Sequence, residues 1–247
     1  MQPRNILALA LGTLLTIAAV TVQAQAPVVS PDGQVFGKDY KEWAGEWLEW
    51  QLKIPAPEDR PTVHPFNDTT GDSCSNGQRG QVWFLTGDPT FGEPGVTRSC
   101  TVPVGVPILV TPINGGCSTL EDPPFFGKNE QDLKECVKDL GFSNEDTVNV
   151  TLTIGDRDSF QVENVLDFLV NSNVVSVVVP DDNLVGVDTS AKGNWGKAAV
   201  AGYFLMIAPL PPGNHEIAFE AIKGEEPFAG FTQKAKYIIT VPGSDDD

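Results

Sequence analysis

Residues 202–219 read GYFLMIAPLPPGNHEIAF and form the clearest strand–turn–strand pattern in the chain. The first part, residues 202–208, is almost wholly apolar, which is typical of a strand buried on both faces. The last part alternates, with Ile217 and Phe219 on one face, as in a half-buried strand. Residues 209–214, between these two parts, are rich in proline and glycine, which are turn formers. The stretch therefore predicts a β-hairpin with a central first strand and a half-exposed second strand.

Other short apolar or alternating segments occur along the chain, and turn formers separate them. These segments are residues 81–86, 96–102, 106–113, 147–154, 160–162, 174–179, 198–208, 216–222 and 234–241. Strands spaced by turns rather than by regularly alternating helices favour an antiparallel arrangement. The sequence thus predicts a mainly β fold, an Ig-like or jelly-roll-like antiparallel β-sandwich of eight or nine strands.

Two helices are expected to decorate this sandwich. Residues 39–54 are bounded by Asp39, a good N-cap residue, and by a proline-rich segment that stops the helix. The stripe along this helix consists of Trp43, Trp47 and Trp50, with Tyr40 and Ile54 extending it. Residues 129–140 predict a second, shorter helix that ends at Gly141.

The tryptophan stripe has two interpretations. In the first, the indoles are core residues that fix the helix to the sheets, because stripes at helical spacing are ordinarily packing surfaces. In the second, they form an exposed platform for sugar rings or for a partner protein. We favour the core interpretation, which predicts that all three indoles are buried.

The charge balance excludes several partners. The chain of 247 residues has 16 Lys and Arg against 33 Asp and Glu, which gives a net charge of −17. A field of this sign repels phosphate backbones and anionic lipid surfaces. We therefore expect no nucleic-acid partner. The hydrophobic share of 40% and the charged share of 20% also exclude a disordered chain.

The first segment of the sequence predicts export. Residues 1–24 carry one basic residue, Arg4, then an apolar run, and end in Val22-Gln23-Ala24. This is the pattern of a signal peptide cleaved after Ala24. Residues 25–247 would then form a single domain that is secreted or periplasmic, without membrane insertion after cleavage, since no later apolar run is long enough to span a bilayer.

The four cysteines predict two disulfide bonds. Cys74, Cys100, Cys117 and Cys136 are even in number, and an exported protein folds in an oxidising compartment. Three pairings are possible. We expect the sequential one, Cys74 with Cys100 and Cys117 with Cys136, because short loops close more readily. The spacings do not fit a zinc site.

Candidate functional residues are few, and the sequence predicts no catalytic residue. His64 and His215 are the only histidines, and the chain has no Gly-x-Ser-x-Gly nucleophile motif and no spare thiol. His64 and Asp68 lie in an irregular segment, where functional residues concentrate, and Arg98 lies in a predicted strand. These four residues, His64, Asp68, Arg98 and His215, are the candidates for a functional role.

The sequence predicts neither a cofactor nor a metal centre. Residues 156–158 and 181–183 are short oxygen-rich segments of the kind that bind Ca²⁺. Neither segment matches a complete calcium-binding loop, so Ca²⁺ is only a lesser expectation.

Several segments of the chain resemble a group of exported bacterial proteins of uncharacterised function. The segments are Trp43–Trp50, His64–Gly71 with Cys74, Gly80–Leu85, Arg98–Pro103 with Gly105, Pro112–Asn114 with Cys117, and Gly202–Gly213 with His215. The resemblance covers most of residues 25–247. It implies export and a single domain, and it brings no activity or site residue with it.

These observations leave two functions open. The first is a secreted, non-enzymatic binding or structural protein of the cell envelope or extracellular matrix, with a protein or carbohydrate partner. The second is an extracellular hydrolase acting on polysaccharide, which requires that His64, Asp68 or Arg98 meet Glu46 or His215 in one cleft. The oligomeric state stays open.

Overall fold

The fold was obtained as a computed structural model, which describes residues 27–156 and 158–243. The predicted signal peptide, residues 1–24, lies outside the described residues. The helices are α1 (Tyr40–Lys53), α2 (Glu130–Asp139) and α3 (Thr189–Lys192). The strands are β1 (Trp83–Phe84), β2 (Val96–Thr101), β3 (Ile108–Ser118), β4 (Thr147–Ile154), β5 (Asp158–Gln161), β6 (Leu169–Asn171), β7 (Val175–Val178), β8 (Trp195–Ile207), β9 (Gly213–Ile222) and β10 (Thr232–Val241).

The strands form two mixed sheets. In the first sheet the order is β1-β3-β8-β6, and β7 also pairs with β8; in the second it is β2-β10-β9-β4-β5. The prediction of a mainly β fold is confirmed, and that of antiparallel pairing holds only in part, because β1 runs parallel to β3 and β2 runs parallel to β10. The predicted number of strands is also too low, because β6 is too short for its sequence to show an alternation.

The predicted hairpin at residues 202–219 does not form. Both of its strands exist, but β8 pairs with β3, β6 and β7, whereas β9 pairs with β10 and β4. Residues 208–212 therefore carry the chain from one sheet to the other. The prolines of this connection mark the turn correctly, but turn formers carry no information about which sheet the chain enters next.

Helix α1 forms as the sequence predicts. Asp39 caps it in a capping box with Glu42, and the helix gives way to extended backbone at Ile54. Trp43, Trp47 and Trp50 are 3%, 1% and 8% exposed, which confirms the core interpretation of the stripe. Their indole N–H groups donate to the backbone carbonyls of Val35, Leu85 and Asn76, at 3.0, 2.8 and 3.3 Å. The three rings therefore bury a large apolar area without leaving a polar atom unpaired.

Helix α2 also forms where it is predicted. The Asn129 side chain accepts hydrogen bonds from the first backbone N–H groups of the helix, and Gly141 follows its C-terminus with a φ of +71°. A left-handed residue at this position is what a helix C-terminus commonly requires, and glycine adopts it without strain.

The disulfide pairing is the predicted sequential one. Cys74 is bonded to Cys100, and Cys117 is bonded to Cys136. The first bond joins the segment after α1 to β2, and the second joins β3 to α2. On the chain-entropy model, loops of these lengths stabilise the fold by about 3 kcal/mol each. Two such bonds indicate an oxidising compartment.

One large apolar core contains residues from both sheets. Phe204 and Leu205 of β8 belong to it together with Ile217 and Phe219 of β9 and the indoles of α1. Within the described part of the chain, none of the helices has the length and apolar character that crossing a bilayer would require.

Candidate functional site

Three of the four predicted site residues lie in one hydrogen-bonded network, and the fourth lies elsewhere. His64 and Asp68 belong to the segment after α1, and Arg98 reaches this segment from β2. His215 lies on β9 in the second sheet and shares no hydrogen bond with the other three. The cleft of a hydrolase, in which His64, Asp68 or Arg98 meets Glu46 or His215, is therefore not what these contacts build.

The His64 ring is buried and both of its nitrogens are occupied. Its Nδ1 accepts a hydrogen bond from the backbone N–H of Phe66 at 3.1 Å. Its Nε2 lies 2.9 Å from the carbonyl oxygen of Gln51, so this nitrogen carries the proton and donates. Burial lowers the pKa of His64, although the bond to Gln51 acts in the opposite direction. The imidazole is a neutral tether between α1 and the following segment.

Asp68 organises the same segment. Its carboxylate accepts from the backbone N–H groups of Thr70, Gly71 and Ser73, at 2.8, 3.0 and 2.8 Å, and from the Thr70 hydroxyl at 2.7 Å. Burial opposes ionisation of the carboxyl, but these four bonds outweigh it and hold the pKa of Asp68 below its usual range. The carboxylate thus folds the segment and has no acceptor capacity to spare.

Arg98 is the centre of the network. It is 1% exposed and donates to the carbonyl oxygens of Phe66 and Gly87, at 2.8 and 2.7 Å, and to that of Asp68. It also donates to the Tyr237 hydroxyl at 2.7 Å. Because it bonds to two separate segments and to β10, Arg98 fixes their relative positions.

His215 has the same arrangement as His64. Its Nδ1 accepts from the backbone N–H of Gly155 at 3.3 Å, and its Nε2 lies 2.8 Å from the carbonyl oxygen of Pro211. It joins the turn after β4 to the connection between the sheets. With both ring nitrogens held by backbone groups, neither histidine is free to act as a general base.

The low pKa of His64 predicts a dependence of stability on pH. The unfolded chain binds a proton near the ordinary value of 6.5, whereas the folded protein binds it only at lower pH. Stability from this residue is therefore complete above about pH 6.5 and is lost as the pH falls from there toward the folded pKa. We expect His64→Gln to reduce the fall in free energy of unfolding between pH 7 and 5, as measured by urea unfolding.

Glu121 provides the control for this measurement. Burial raises the pKa of Glu121 to about 7, while the Ser118 hydroxyl and the Lys192 charge act in the opposite direction. The folded state therefore holds the Glu121 proton more tightly than the unfolded chain does, and this contribution to stability falls as the pH rises toward 7. Glu121→Gln should make the loss at acid pH steeper. A His64→Gln profile parallel to that of the native chain would contradict the role of His64.

The described residues form an aromatic cleft that the sequence did not predict. Its volume is 380 Å³, which lies in the range of small-molecule sites. A cavity of about 150 Å³ holds one benzene ring, so this partly open cleft can take a ligand larger than a single ring. It is lined by Trp47, Gln51, Phe66, Gly87, Phe91, Asn114, Gly115, Gly116, Phe125, Leu140, Phe142, Leu184, Val185, Lys223, Phe228, Phe231 and Gln233.

The network of His64, Asp68 and Arg98 builds one side of the aromatic cleft. His64 accepts from the backbone of Phe66, and Arg98 bonds to the carbonyls of both Phe66 and Gly87. Phe66 and Gly87 both line the cleft. The predicted site residues are therefore positioning residues: they hold the walls of a site that they do not themselves line.

The cleft is almost free of charge in a strongly acidic protein. Among the described residues that line it, Lys223 is the one with a charge, against a net charge of −17 for the chain. The Lys223 ammonium is neutralised by Asp146 at 3.1 Å, donates to the Gly141 carbonyl, and lies 4.4 Å from the Phe142 ring centroid. Such a lining suits an uncharged ligand.

One residue of the cleft lining has a buried polar atom without a partner among the described residues. The Oε1 atom of Gln51 is buried and accepts no hydrogen bond from any described residue. Trp83 Nε1 is the other buried side-chain atom of this kind in residues 27–156 and 158–243, and Trp83 does not line the cleft. An unpaired buried acceptor costs free energy. A ligand donor that formed a hydrogen bond with Gln51 Oε1 would remove this cost.

A rigid loop holds one aromatic ring at the rim. Phe91 is 55% exposed and has a left-handed backbone with a φ of +53°, an unusual conformation for a bulky residue. The buried carboxylate of Asp88 accepts from Gly92 N at 2.7 Å, and the Gln233 side chain bonds to both backbone groups of Asp88. The Phe91 ring lies 5.4 Å from that of Phe231. This exposed ring is thus fixed by its loop.

A signal for the cleft is nevertheless present in the sequence. Each phenylalanine that lines it is adjacent to glycine or proline, outside any periodic segment. These residues are Phe66, Phe91, Phe125, Phe142, Phe228 and Phe231. Large apolar rings in turn-rich segments are expected to pack against one another, because each ring would otherwise be exposed to water. Phe36 and Phe126 share the pattern and are exposed, so the signal identifies candidates rather than members.

One of the two segments considered for Ca²⁺, residues 181–183, forms a turn that its own hydrogen bonds hold. The Asn183 amide oxygen accepts from Val187 N at 2.8 Å, and its amide N–H groups donate to nearby carbonyls, so this turn satisfies itself. The side chain of Asp158 lies outside the described residues. Among residues 27–156 and 158–243, no group of three or more His, Cys, Asp or Glu side chains could hold a metal ion.

Comparison with known proteins adds no relative from which a function could be carried over. No family model matches the chain, and no curated protein or solved structure matches it.

Proposed function

We propose that this protein is an exported, non-enzymatic binding protein whose aromatic cleft takes up a small, uncharged and mainly apolar molecule with a hydrogen-bond donor. The observation that carries the proposal is a cleft walled by phenylalanine rings, with Gln51, whose buried Oε1 has no partner among the described residues, in its lining. Pockets of this composition, with a few placed polar groups, are typical of small-molecule sites. Export is supported by the two disulfide bonds and the signal-peptide pattern.

We also propose that the two sheets pack face to face as a sandwich. The support for this arrangement is the single core cluster that takes in residues of β8 from the first sheet and β9 from the second. An arrangement of this kind provides a rigid scaffold for the loops whose phenylalanines line the cleft, and binding residues often lie on loops held in this way.

N-Phenyl-1-naphthylamine is a suitable probe for the cleft. It has an uncharged aromatic body and one N–H donor, and its fluorescence rises in an apolar site. We expect saturable binding to the full chain. Val185→Trp at the rim should weaken this binding about tenfold or more by filling the entrance, equivalent to about 1.4 kcal/mol.

Val178→Trp is the matched control for this experiment. Val178 is 44% exposed and Val185 is 37% exposed, and only Val185 lines the cleft. The Val178 variant should bind the probe as the native chain does. Absence of saturable binding, or equal losses in both variants, would contradict the proposal.

Gln51→Leu should separate stability from binding. Replacing a side chain whose buried Oε1 has no described partner with an apolar one of similar size should raise the free energy of unfolding by about 1 kcal/mol. The same change removes the acceptor for the probe N–H and should weaken probe binding about fivefold. Urea unfolding and fluorescence titration measure the two effects.

Gln131→Leu on α2 is the control for this variant, because Gln131 is exposed and lies outside the cleft. It should change neither quantity appreciably. A Gln51→Leu variant that is destabilised, and that binds the probe as well as the native chain does, would show that Oε1 has no role in the site.

The alternative function, hydrolysis of polysaccharide, has no comparable support. Both ring nitrogens of His64 and His215 are bonded to backbone groups. The carboxylate of Asp68 is saturated with hydrogen bonds from its own segment. The hydrogen bonds of these residues hold backbone segments in place and leave no group positioned for acid–base catalysis.

A further inference from the structure

The outer edge of β3, the edge opposite β8, is paired only near its two ends. Near its start, Leu85 N donates to Leu109 O at 2.9 Å, which continues the pairing with β1. At its end, Ser118 N donates to Phe125 O at 2.9 Å, and Gly127 N donates to Ser118 O at 3.1 Å. Between Leu109 and Ser118, no described segment pairs with this edge.

The alternation of a strand shows which peptide groups face this gap. Ser118 directs its N–H and C=O away from β8, so Gly116 and Asn114 direct theirs the same way. The opposite strand agrees: Val200, which faces Gly116, exchanges hydrogen bonds with Ser172 on its far side. Gly116 and Asn114 therefore present free backbone donors and acceptors at the outer edge.

The aromatic cleft occupies this gap. Asn114, Gly115 and Gly116 all line it, although neighbouring strand residues point to opposite faces of a sheet. Three consecutive lining residues are expected when a cleft runs along the edge of a strand. Gly87 lines the cleft near the end where β1 departs, and Phe125 lines it near the end where pairing resumes.

Pro112 is consistent with an edge that no strand of the fold uses. It lies where the register of β3 against β8 shifts, between Val110 and Ile113. Proline has no N–H to donate and is found in sheets at edges and bulges. The part of the edge without a described strand partner, residues 110–117, spans roughly 26 Å at about 3.3 Å per residue.

We propose that the ligand of the aromatic cleft is an extended, uncharged apolar peptide that pairs with the outer edge of β3. This rests on the proposed binding function and names its ligand class. The peptide would take the place of a missing strand, exchanging hydrogen bonds with Asn114 and Gly116. Its side chains would alternate between Trp47 and Gln51 on one side and Phe142 and Phe228 on the other. Recognition by strand addition combines backbone bonds with side-chain pockets in this way.

The test uses an acetylated and amidated tetrapeptide of alternating leucine and phenylalanine. Calorimetry measures its binding to the full chain, and displacement of N-phenyl-1-naphthylamine shows that it occupies the cleft. A second set of peptides carries a single N-methyl group at each position in turn. Because only alternate N–H groups face β3, N-methylation at positions of one parity should weaken binding about tenfold. N-methylation at positions of the other parity should change it less than about twofold.

The outcomes separate this inference from the proposed function. If the probe binds and the tetrapeptide does not, edge pairing is wrong and the cleft remains a small-molecule site. If the tetrapeptide binds and N-methylation has no two-residue period, it binds by apolar contact alone, and edge pairing is again wrong. If neither probe nor peptide binds, both proposals fail.

Discussion

Replacing Arg98 with methionine is expected to lower the free energy of unfolding by about 4 kcal/mol. The guanidinium is 1% exposed and donates to three carbonyl oxygens and the Tyr237 hydroxyl. Methionine fills much of the volume but leaves these buried acceptors unpaired. Each unpaired group costs about 1–3 kcal/mol, and this cost is smaller where the surrounding structure relaxes to restore a hydrogen bond. Urea unfolding with an unchanged m value measures the loss.

Arg98→Lys is the informative companion variant. Lysine retains the charge, but its ammonium cannot reproduce the planar array of donors, so we expect about half of the loss. Both variants should also weaken probe binding at temperatures where they remain folded, because Arg98 holds Phe66 and Gly87 in the cleft wall. A loss below about 1 kcal/mol for Arg98→Met would show that the network is not what fixes these segments.

Replacing Lys223 with methionine should have an effect of similar size. The Asp146 carboxylate accepts from Lys223 Nζ, Gly224 N, Ser143 N and the Tyr203 hydroxyl, and it is buried. Burial raises the pKa of Tyr203, and the neighbouring Asp146 charge raises it further, so this hydroxyl stays a donor. Removing the ammonium leaves a buried carboxylate without its counter-charge, at a cost of about 3–5 kcal/mol.

A double-mutant cycle and a surface ion pair test this interpretation. Asp146→Asn removes the charge that Lys223 neutralises, so the double variant should be more stable than the sum of the single losses predicts. Lys197 pairs with Glu130 at 2.7 Å where both side chains are exposed, and Lys197→Met should cost less than about 1 kcal/mol. Equal losses in Lys223→Met and Lys197→Met would contradict the role assigned to the buried pair.

Much of the secondary structure could be predicted because its signals are local. The N-cap at Asp39, the spacing of the tryptophans and the C-terminal Gly141 each act within a few residues of the helix that they define. The alternation at Thr147–Ile154 likewise predicts β4 with the bounds that the structure has. The sequential disulfide pairing follows the same rule, because it joins the nearest partners in the chain.

The topology could not be predicted in the same way. Whether β8 and β9 form a hairpin depends on which sheet offers each strand the better partner, and the turn between them does not encode this. The parallel pairing of β2 with β10 joins segments from distant parts of the chain. No local pattern in either strand signals this pairing.

The candidate site was predicted only in part. The sequence singled out His64 and Asp68 in an irregular segment and Arg98 in a strand, without predicting that they meet. The structure joins them in one network that supports a cleft and does not line it. Polar residues such as these are readily selected as candidates from a sequence. The cleft itself is built from phenylalanines that lie far apart in the sequence. His215 was grouped with them only because histidine is rare in this chain, and the structure places it on another strand.

The open edge of β3 has a consequence for solubility. Exposed strand edges are the usual route by which β-rich proteins associate with one another. Here the unpaired part of the edge lines a cleft that Phe91, Phe231 and residues of helix α1 also line. A cleft admits a single slender chain more readily than it admits the flat border of another folded sheet. The molecule can therefore keep an unpaired strand without inviting aggregation.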